Sequence, residues 1–185
     1  VPSNPYDAKG LLMSAIQEDN LVVFSEDKTL LGQKGNVPEE PYTIEIGKAN
    51  VTREGDDLTI VAIGKMVAVA EETAEKLAED QVSVEVIDLR SVSPWDQETV
   101  LDSVKKTGRL IVIDESNPQC NIAGDVASVI GDVGFDYLDG PIKKATAPDT
   151  PVPFAANLEA AYMPNADKVL DIASELIDDL KKANA

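Results

Sequence analysis

Two almost unbroken apolar runs, Leu58 to Gly64 and Leu110 to Ile113, constrain this chain more than any other feature of it. Each is strand length and lacks the alternation of a half-wet strand, so both of its faces must be covered by other elements. Between them lies a helical pattern, with Met66, Val69, Ala70, Thr73 and Leu77 on one face and Glu72 and Lys76 four apart on the exposed side. A further strand runs over Val82 to Leu89. Ser93 then offers a helix cap, Asp96 stands near the positive end of the helix dipole, and Gly108 marks the stop. After Arg109 to Asp114 the same alternation resumes: a helix over Asn121 to Ile130, a strand over Ile142 to Thr146 and a C-terminal helix from about Asn165 to Lys182. Strands alternating with helices predict an α/β fold, a three-layer α/β/α arrangement around a five-stranded, mostly parallel sheet. Tyr42 to Ile46, alternating apolar and polar, predicts an edge strand that Asn50 to Arg53 continues, and that edge is expected to be antiparallel.

The first forty residues are less regular. Asn4 and Pro5 supply a cap and a first-turn proline for a helix over Pro5 to Glu18, and Leu21 to Phe24 predicts a buried strand. Glu26 to Glu40 carries Gly32, Gly35, Pro38 and acidic residues without a period, which predicts a long surface loop. The chain opens on Val1 and a polar stretch with no signal-peptide pattern, and it reads as a piece of a longer polypeptide.

Charge and composition narrow the function. Acidic residues outnumber basic ones 34 to 16, a formal charge of −18, so nucleic acid and anionic membrane surfaces are poor partners. Histidine is absent, which removes a Ser-His-Asp triad, a histidine metal site and an imidazole base from this segment. The apolar runs fall far short of the roughly 20 residues a membrane helix needs. The single cysteine, Cys120, gives no internal disulfide, and a cytoplasmic setting is expected. Lying just ahead of a helix without a partner base, Cys120 reads as a packing or helix-entry residue. Gly64-Lys65 at a strand-to-helix turn could invite an anion, but one glycine is no phosphate loop and a tight turn is expected. Asp114 and Glu115 stand at the carboxyl end of a central strand, where open α/β sheets place their sites, and are the intrinsic site candidates. The proline-rich stretch Thr146 to Phe154 is stiff, and an aromatic end suits a subunit contact.

Val1-Pro2-Ser3-Asn4-Pro5-Tyr6-Asp7-Ala8-Lys9-Gly10-Leu11-Leu12, Pro38-Glu39-Glu40-Pro41-Tyr42-Thr43-Ile44, Val84-Glu85-Val86-Ile87-Asp88-Leu89-Arg90, Ser93-Pro94-Trp95-Asp96, Lys106-Thr107-Gly108-Arg109 and Met163-Pro164-Asn165 together resemble the β subunits of the dehydrogenase (E1) component of 2-oxo-acid and acetoin dehydrogenase complexes. The resemblance implies that residues 1–34 are a remnant of a pyrimidine-binding domain with its linker, and that residues 35–185 form a transketolase C-terminal domain. Residues before about Lys34 are then expected to pack poorly or pair with another copy, exposing Leu11, Leu12 and Ile16. The implied parent enzyme is an oxidoreductase acting on acetoin or a 2-oxo acid through thiamine diphosphate and magnesium. It works as an α2β2 heterotetramer with an E1 α subunit and a second β subunit, and it docks the subunit-binding domain of the acyltransferase (E2) component. No catalytic, cofactor-binding or metal-ligating residue of that pattern carries over onto this segment, so alone it is expected to bind no cofactor and to be inactive. Asp114 to Ala123 and Thr146 to Phe154 are most similar to acetoin-type subunits, with two departures: Gln119 replaces the usual arginine and Asp149 the usual histidine. Aspartate at the second place is common in pyruvate-type subunits, which are the next alternative, followed by another transketolase relative such as deoxyxylulose phosphate synthase. Docking of a basic binding domain is expected at Asp136 and Asp139, which fall in an irregular stretch before a strand, with Glu175, Asp178 and Asp179 adding charge.

Overall fold

The computed structural model describes residues 1–183, with side chains through Ile177. Its sheet has five strands in the order β1-β3-β2-β4-β5, where β1 is Asn50–Arg53, β2 Leu58–Ala62, β3 Val84–Asp88, β4 Leu110–Ile113 and β5 Lys143–Ala145. β3, β2, β4 and β5 run parallel, and β1 pairs antiparallel with β3 at one edge, as the patterns predict. β2 is central because it is buried on both faces along its whole length, and so are β3 and β4.

Helices cover both faces. On one, α2 (Met66–Glu79) and α6 (Ala166–Ala183) pack on Ile60, Val86 and Ile111; on the other, α3 (Gln97–Thr107) and α4 (Ile122–Val133) pack on Val61, Ile87 and Val112. Each fully enclosed isoleucine is worth about 2 kcal/mol relative to exposure. Local chemistry ends these helices where the sequence indicates, since Gly108 takes the left-handed conformation (φ +69°) and its N–H bonds back to the Val104 carbonyl. The α3 cap, however, is Asp96, which accepts from the Thr99 N–H at 3.2 Å, and not Ser93. A short helix, α5 (Ala156–Tyr162), stands where the sequence shows only the end of a stiff crossing.

The first forty-six residues depart most from expectation. Helix α1 (Pro5–Gln17) forms under its Asn4 cap as predicted, and of the three apolar residues expected to be exposed Leu12 and Ile16 are, while Leu11 is buried. Tyr42 to Ile46 half-buries alternate residues, yet it is not a strand. Its backbone is satisfied by α1 instead, with the Ile44 N–H donating to the Gly10 carbonyl at 3.2 Å and the Ser14 hydroxyl donating to the Ile44 carbonyl at 2.5 Å. Only glycine permits that approach, because a Cβ at position 10 would lie 2.6 Å from the Ile44 side chain. Leu21 to Phe24 is likewise not a buried strand: it has no regular secondary structure, and Leu21 and Val23 are almost fully exposed. Its apolar pattern is real, but no described strand lies beside it to accept the pairing.

Candidate functional site

Parallel α/β sheets gather chemistry at the carboxyl ends of their strands, because helix N-termini and loops converge there. In this molecule Ile63 and Gly64 follow β2, Leu89 and Arg90 follow β3, and Asp114 and Glu115 follow β4. The chain's own N-terminal segment lies across that edge. The Arg90 guanidinium donates twice to the Asp7 carboxylate, from Nε at 2.9 Å and from Nη2 at 2.5 Å, and Asp7 is wholly buried. The Ser3 hydroxyl donates to Asp88 Oδ2, while Asp88 Oδ1 accepts the Arg90 N–H at 3.0 Å. This last bond holds Arg90 at φ +57°, a left-handed conformation a side chain rarely adopts. Burial pushes the Asp88 carboxyl up to about 6, against the hydrogen bonds from Ser3 and Arg90 that favour its charge.

The neighbouring turn is equally occupied. Gly64 at φ +57° makes the tight turn expected, and the first N–H groups of α2 are spent on the carbonyls of Ile63, Gly64 and Lys65. Lys65 pairs with Glu115 at 3.0 Å and with Asp27 at 3.5 Å. Burial opposes the charge on Lys65, but these two carboxylates outweigh it and hold the ammonium above the usual lysine range. Asp114 bonds its own turn, accepting from the Ser116 N–H at 3.0 Å and the Ser116 hydroxyl at 2.5 Å, and so shapes the loop. Among the described residues no three acidic or thiol side chains converge as metal ligands. The described side chains at this edge do not fit a magnesium diphosphate group.

Cys120 is exposed and not packed inside, and its φ of +51° just before the Asn121 cap makes it a helix-entry residue. The two unusual positions beside it meet: Gln119 donates to Asp149 at 3.1 Å. Asn117 reaches the same strap, donating to the Pro148 carbonyl at 2.7 Å and the Thr150 carbonyl at 3.3 Å.

The acidic stretch lies elsewhere. Asp136 sits in a 3₁₀ turn, Phe135 to Tyr137, and is exposed between two exposed aromatic rings. Asp139 follows within the same irregular stretch, its N–H donating to the Gly108 carbonyl at 2.7 Å. Its carboxylate stands 3.8 Å from the Arg109 guanidinium, so part of its charge is already answered. Between them Phe135, Leu138, Pro141 and Ile142 line a shallow apolar groove. Glu175 pairs with Lys143 at 3.2 Å, and the side chains of Asp178 and Asp179 lie outside the described residues.

Residues 47–169 match the model of the transketolase C-terminal domain. The chain belongs to the transketolase C-terminal domain family. Within that family it is 53% identical over 177 residues to the β subunit of an acetoin:2,6-dichlorophenolindophenol oxidoreductase of Bacillus subtilis (strain 168), covering 96% of this chain and 52% of that protein. It is 46% identical over 168 residues to the same subunit from Cupriavidus necator, covering 91% and 50%. It is also 46% identical over 179 residues to the pyruvate dehydrogenase E1 β subunit of Bacillus subtilis, covering 96% and 55%. A solved split-gene transketolase, an inactive β4 tetramer, shares the fold at a TM-score of 0.63 and 28% identity over 72% of this chain and 42% of that one. The chain thus spans about half the length of the relatives it matches. No described helix is long and apolar enough to cross a membrane. The latch between Asp7 and Arg90 escaped sequence reasoning because its partners lie 83 positions apart and neither forms a motif.

Proposed function

We propose that this chain is the C-terminal region of the β subunit of a cytoplasmic acetoin-cleaving dehydrogenase, serving assembly and docking while thiamine-diphosphate chemistry takes place elsewhere in the enzyme. The observation that carries this reading is the 53% identity to an acetoin-type β subunit, which spans nearly the whole chain. What supports a structural role is that Asp7, Ser3 and Lys65 at the carboxyl edge of the sheet are each engaged in side-chain pairs. In this reading residues 1–34 belong with a preceding pyrimidine-binding domain, whose sheet would take up the unpaired Leu21 to Phe24. Arg90 and Asp88 then fasten that domain to residues 35–185. The partners are an E1 α subunit, a second β subunit and a basic binding domain of the acyltransferase component, the last held at Asp136 and Asp139.

A chimera tests it. This chain replaces the matching half of the Bacillus subtilis acetoin β subunit and is co-expressed with the α subunit of that enzyme. Dye reduction is then followed with thiamine diphosphate and magnesium. Assembly and turnover in this host exceeding those of the matching chimera built into the Bacillus subtilis pyruvate dehydrogenase E1 β subunit with its own α subunit are expected. Better assembly in the pyruvate host would move the chain to the pyruvate type, a reading that Asp149 favours, and assembly in neither host would overturn the proposal.

A further inference from the structure

The first residues of the chain close over the end of β3 and take two carboxylates out of water around Arg90. Asp7 on α1 and Asp88 at the end of β3 are both wholly buried. The Arg90 guanidinium answers Asp7 with two bonds, from Nε at 2.9 Å and from Nη2 at 2.5 Å. Asp88 has no ion-pair partner among the described residues: it accepts the Ser3 hydroxyl and the Arg90 backbone N–H, both neutral donors. One more charge faces the pair, the Val1 ammonium, which donates to the Arg90 carbonyl at 2.8 Å. Pro2 and Ser3 are themselves buried, so the segment that bonds Asp88 also helps to cover it.

A carboxylate taken out of water without a cation favours its neutral acid, whereas the same group in water ionises at ordinary acidity. Closing the N-terminal segment over Asp88 therefore takes up a proton from solvent, and opening it returns that proton. We propose that the contact of Ser3 and Asp7 with Asp88 and Arg90 is a pH-sensitive latch, tight while Asp88 carries a proton and looser once it is ionised, so that α1 parts from the sheet more readily in neutral than in mildly acid solution. The charges around Asp88 act in that sense. Burial raises its carboxyl to about 6 and the neighbouring Asp7 charge adds to the rise, against the bonds from Ser3 and Arg90. The hold gained from the proton is thus lost as pH rises through about 6. Val1 works the other way: burial lowers its ammonium below the usual range against the pull of Asp88 and Asp7, so rising pH favours closure there. Such a latch belongs to this chain alone and needs no partner.

Native-state hydrogen exchange of the 185-residue chain at about pH 5 and about pH 7.5, corrected for the intrinsic rate of each amide, reads the latch directly. The amides of Leu11 to Ser14 in α1 should exchange through a local opening, with less protection than those of Ile111 and Val112 in β4. Their protection should fall about tenfold across that range, the linkage expected of a carboxyl moved from 3.8 to about 6. Asp88→Asn, which cannot ionise but still accepts the Arg90 N–H, should abolish the fall. A chain extended by Gly-Ser ahead of Val1, where that nitrogen is a neutral amide, should keep it. In the unsubstituted chain the carboxyl carbon of Asp88, followed by NMR, should titrate at about 6. Protection in α1 that equals that in β4 or stays level across the range would overturn the latch. So would a fall that survives Asp88→Asn or vanishes with the extension, or an Asp88 that titrates at about 4, as a carboxyl in water does.

Discussion

Asp7 and Asp88 are both fully buried, but the Arg90 guanidinium bonds Asp7 alone, while Asp88 accepts only the Arg90 backbone N–H and the Ser3 hydroxyl. Removing the Arg90 guanidinium leaves the Asp7 carboxylate with the Asn4 side-chain amide as its donor. Arg90→Met is therefore expected to destabilise the fold by about 3 kcal/mol in urea titration, the cost of an orphaned buried charge. It should also make residues before Lys34 sensitive to protease. Asp88 sets the pH behaviour. Its folded value is raised by burial to about 6 from an ordinary 3.8, so between those values the folded state holds a proton that the unfolded state has released. The contribution of Asp88 to stability should accordingly fall as pH rises from about 4 to about 6 and then level off, by about 3 kcal/mol at about 1.4 kcal/mol per tenfold in proton affinity. Asp88→Asn keeps the acceptor for the Arg90 N–H, and it should be more stable than the parent at pH 7 and equal to it near pH 4. Unfolding midpoints that track each other at both pH values would contradict this. Asp96 titrates in the other sense: burial pushes it up, but Thr99, Ala49 and Lys48 outweigh burial and hold it below the usual carboxylate range, so its contribution is lost only in stronger acid.

At the scale of elements, β2 and α3 are joined by a buried hydroxyl cluster as well as by apolar packing. The Thr59 hydroxyl lies 2.6 Å from that of Ser103 and 2.7 Å from that of Thr107, and all three residues are buried. Thr59→Val conserves shape but removes a partner from the Ser103 and Thr107 hydroxyls, of which Thr107 keeps the Arg109 carbonyl at 3.2 Å, and a loss of about 1–3 kcal/mol is expected in chemical denaturation. Restoring the balance with Thr59→Val, Ser103→Ala and Thr107→Val together should recover much of that loss, since replacing all partners by apolar groups is close to neutral. A triple variant weaker than the sum of its parts would show that the hydroxyls do more than satisfy one another. The same elements show why Gly108 matters: a side chain there would be strained at φ +69°, and its Cβ would fall 2.3 Å from Asp139 Oδ2. One residue thus stops α3 and sets the position of the acidic stretch.

Across the whole molecule, charge acts in two directions. Self-repulsion at −18 opposes compactness, so added salt should raise the unfolding midpoint of the isolated chain. The same salt should weaken docking of a family-matched, basic acyltransferase binding domain at Asp136 and Asp139. Because Asp139 already faces Arg109, Asp136→Asn should account for most of the affinity lost by the double Asp136→Asn, Asp139→Asn variant. Calorimetric titration at low and high salt checks both statements, and equal affinity throughout would leave the acidity as a solubility feature.

What the sequence determined by itself is the layered domain from Asn50 onward. There, fully apolar strands, helical periods and a glycine stop agree with one another, each within a few residues, so local physics suffices. The strand order, with β3 between β1 and β2, conforms to that pattern but is settled by how the helices close over both faces. Only the tertiary structure decided the fate of residues 1–46. Leu21 to Phe24 and Tyr42 to Ile46 carry strand patterns, but a strand exists only where another offers its edge. The first has none among the described residues, and the second finds its partners in α1. The latch of Asp7 on Arg90, the meeting of Gln119 with Asp149 and the strap that leads into α5 join residues far apart in sequence, where no local period records the contact.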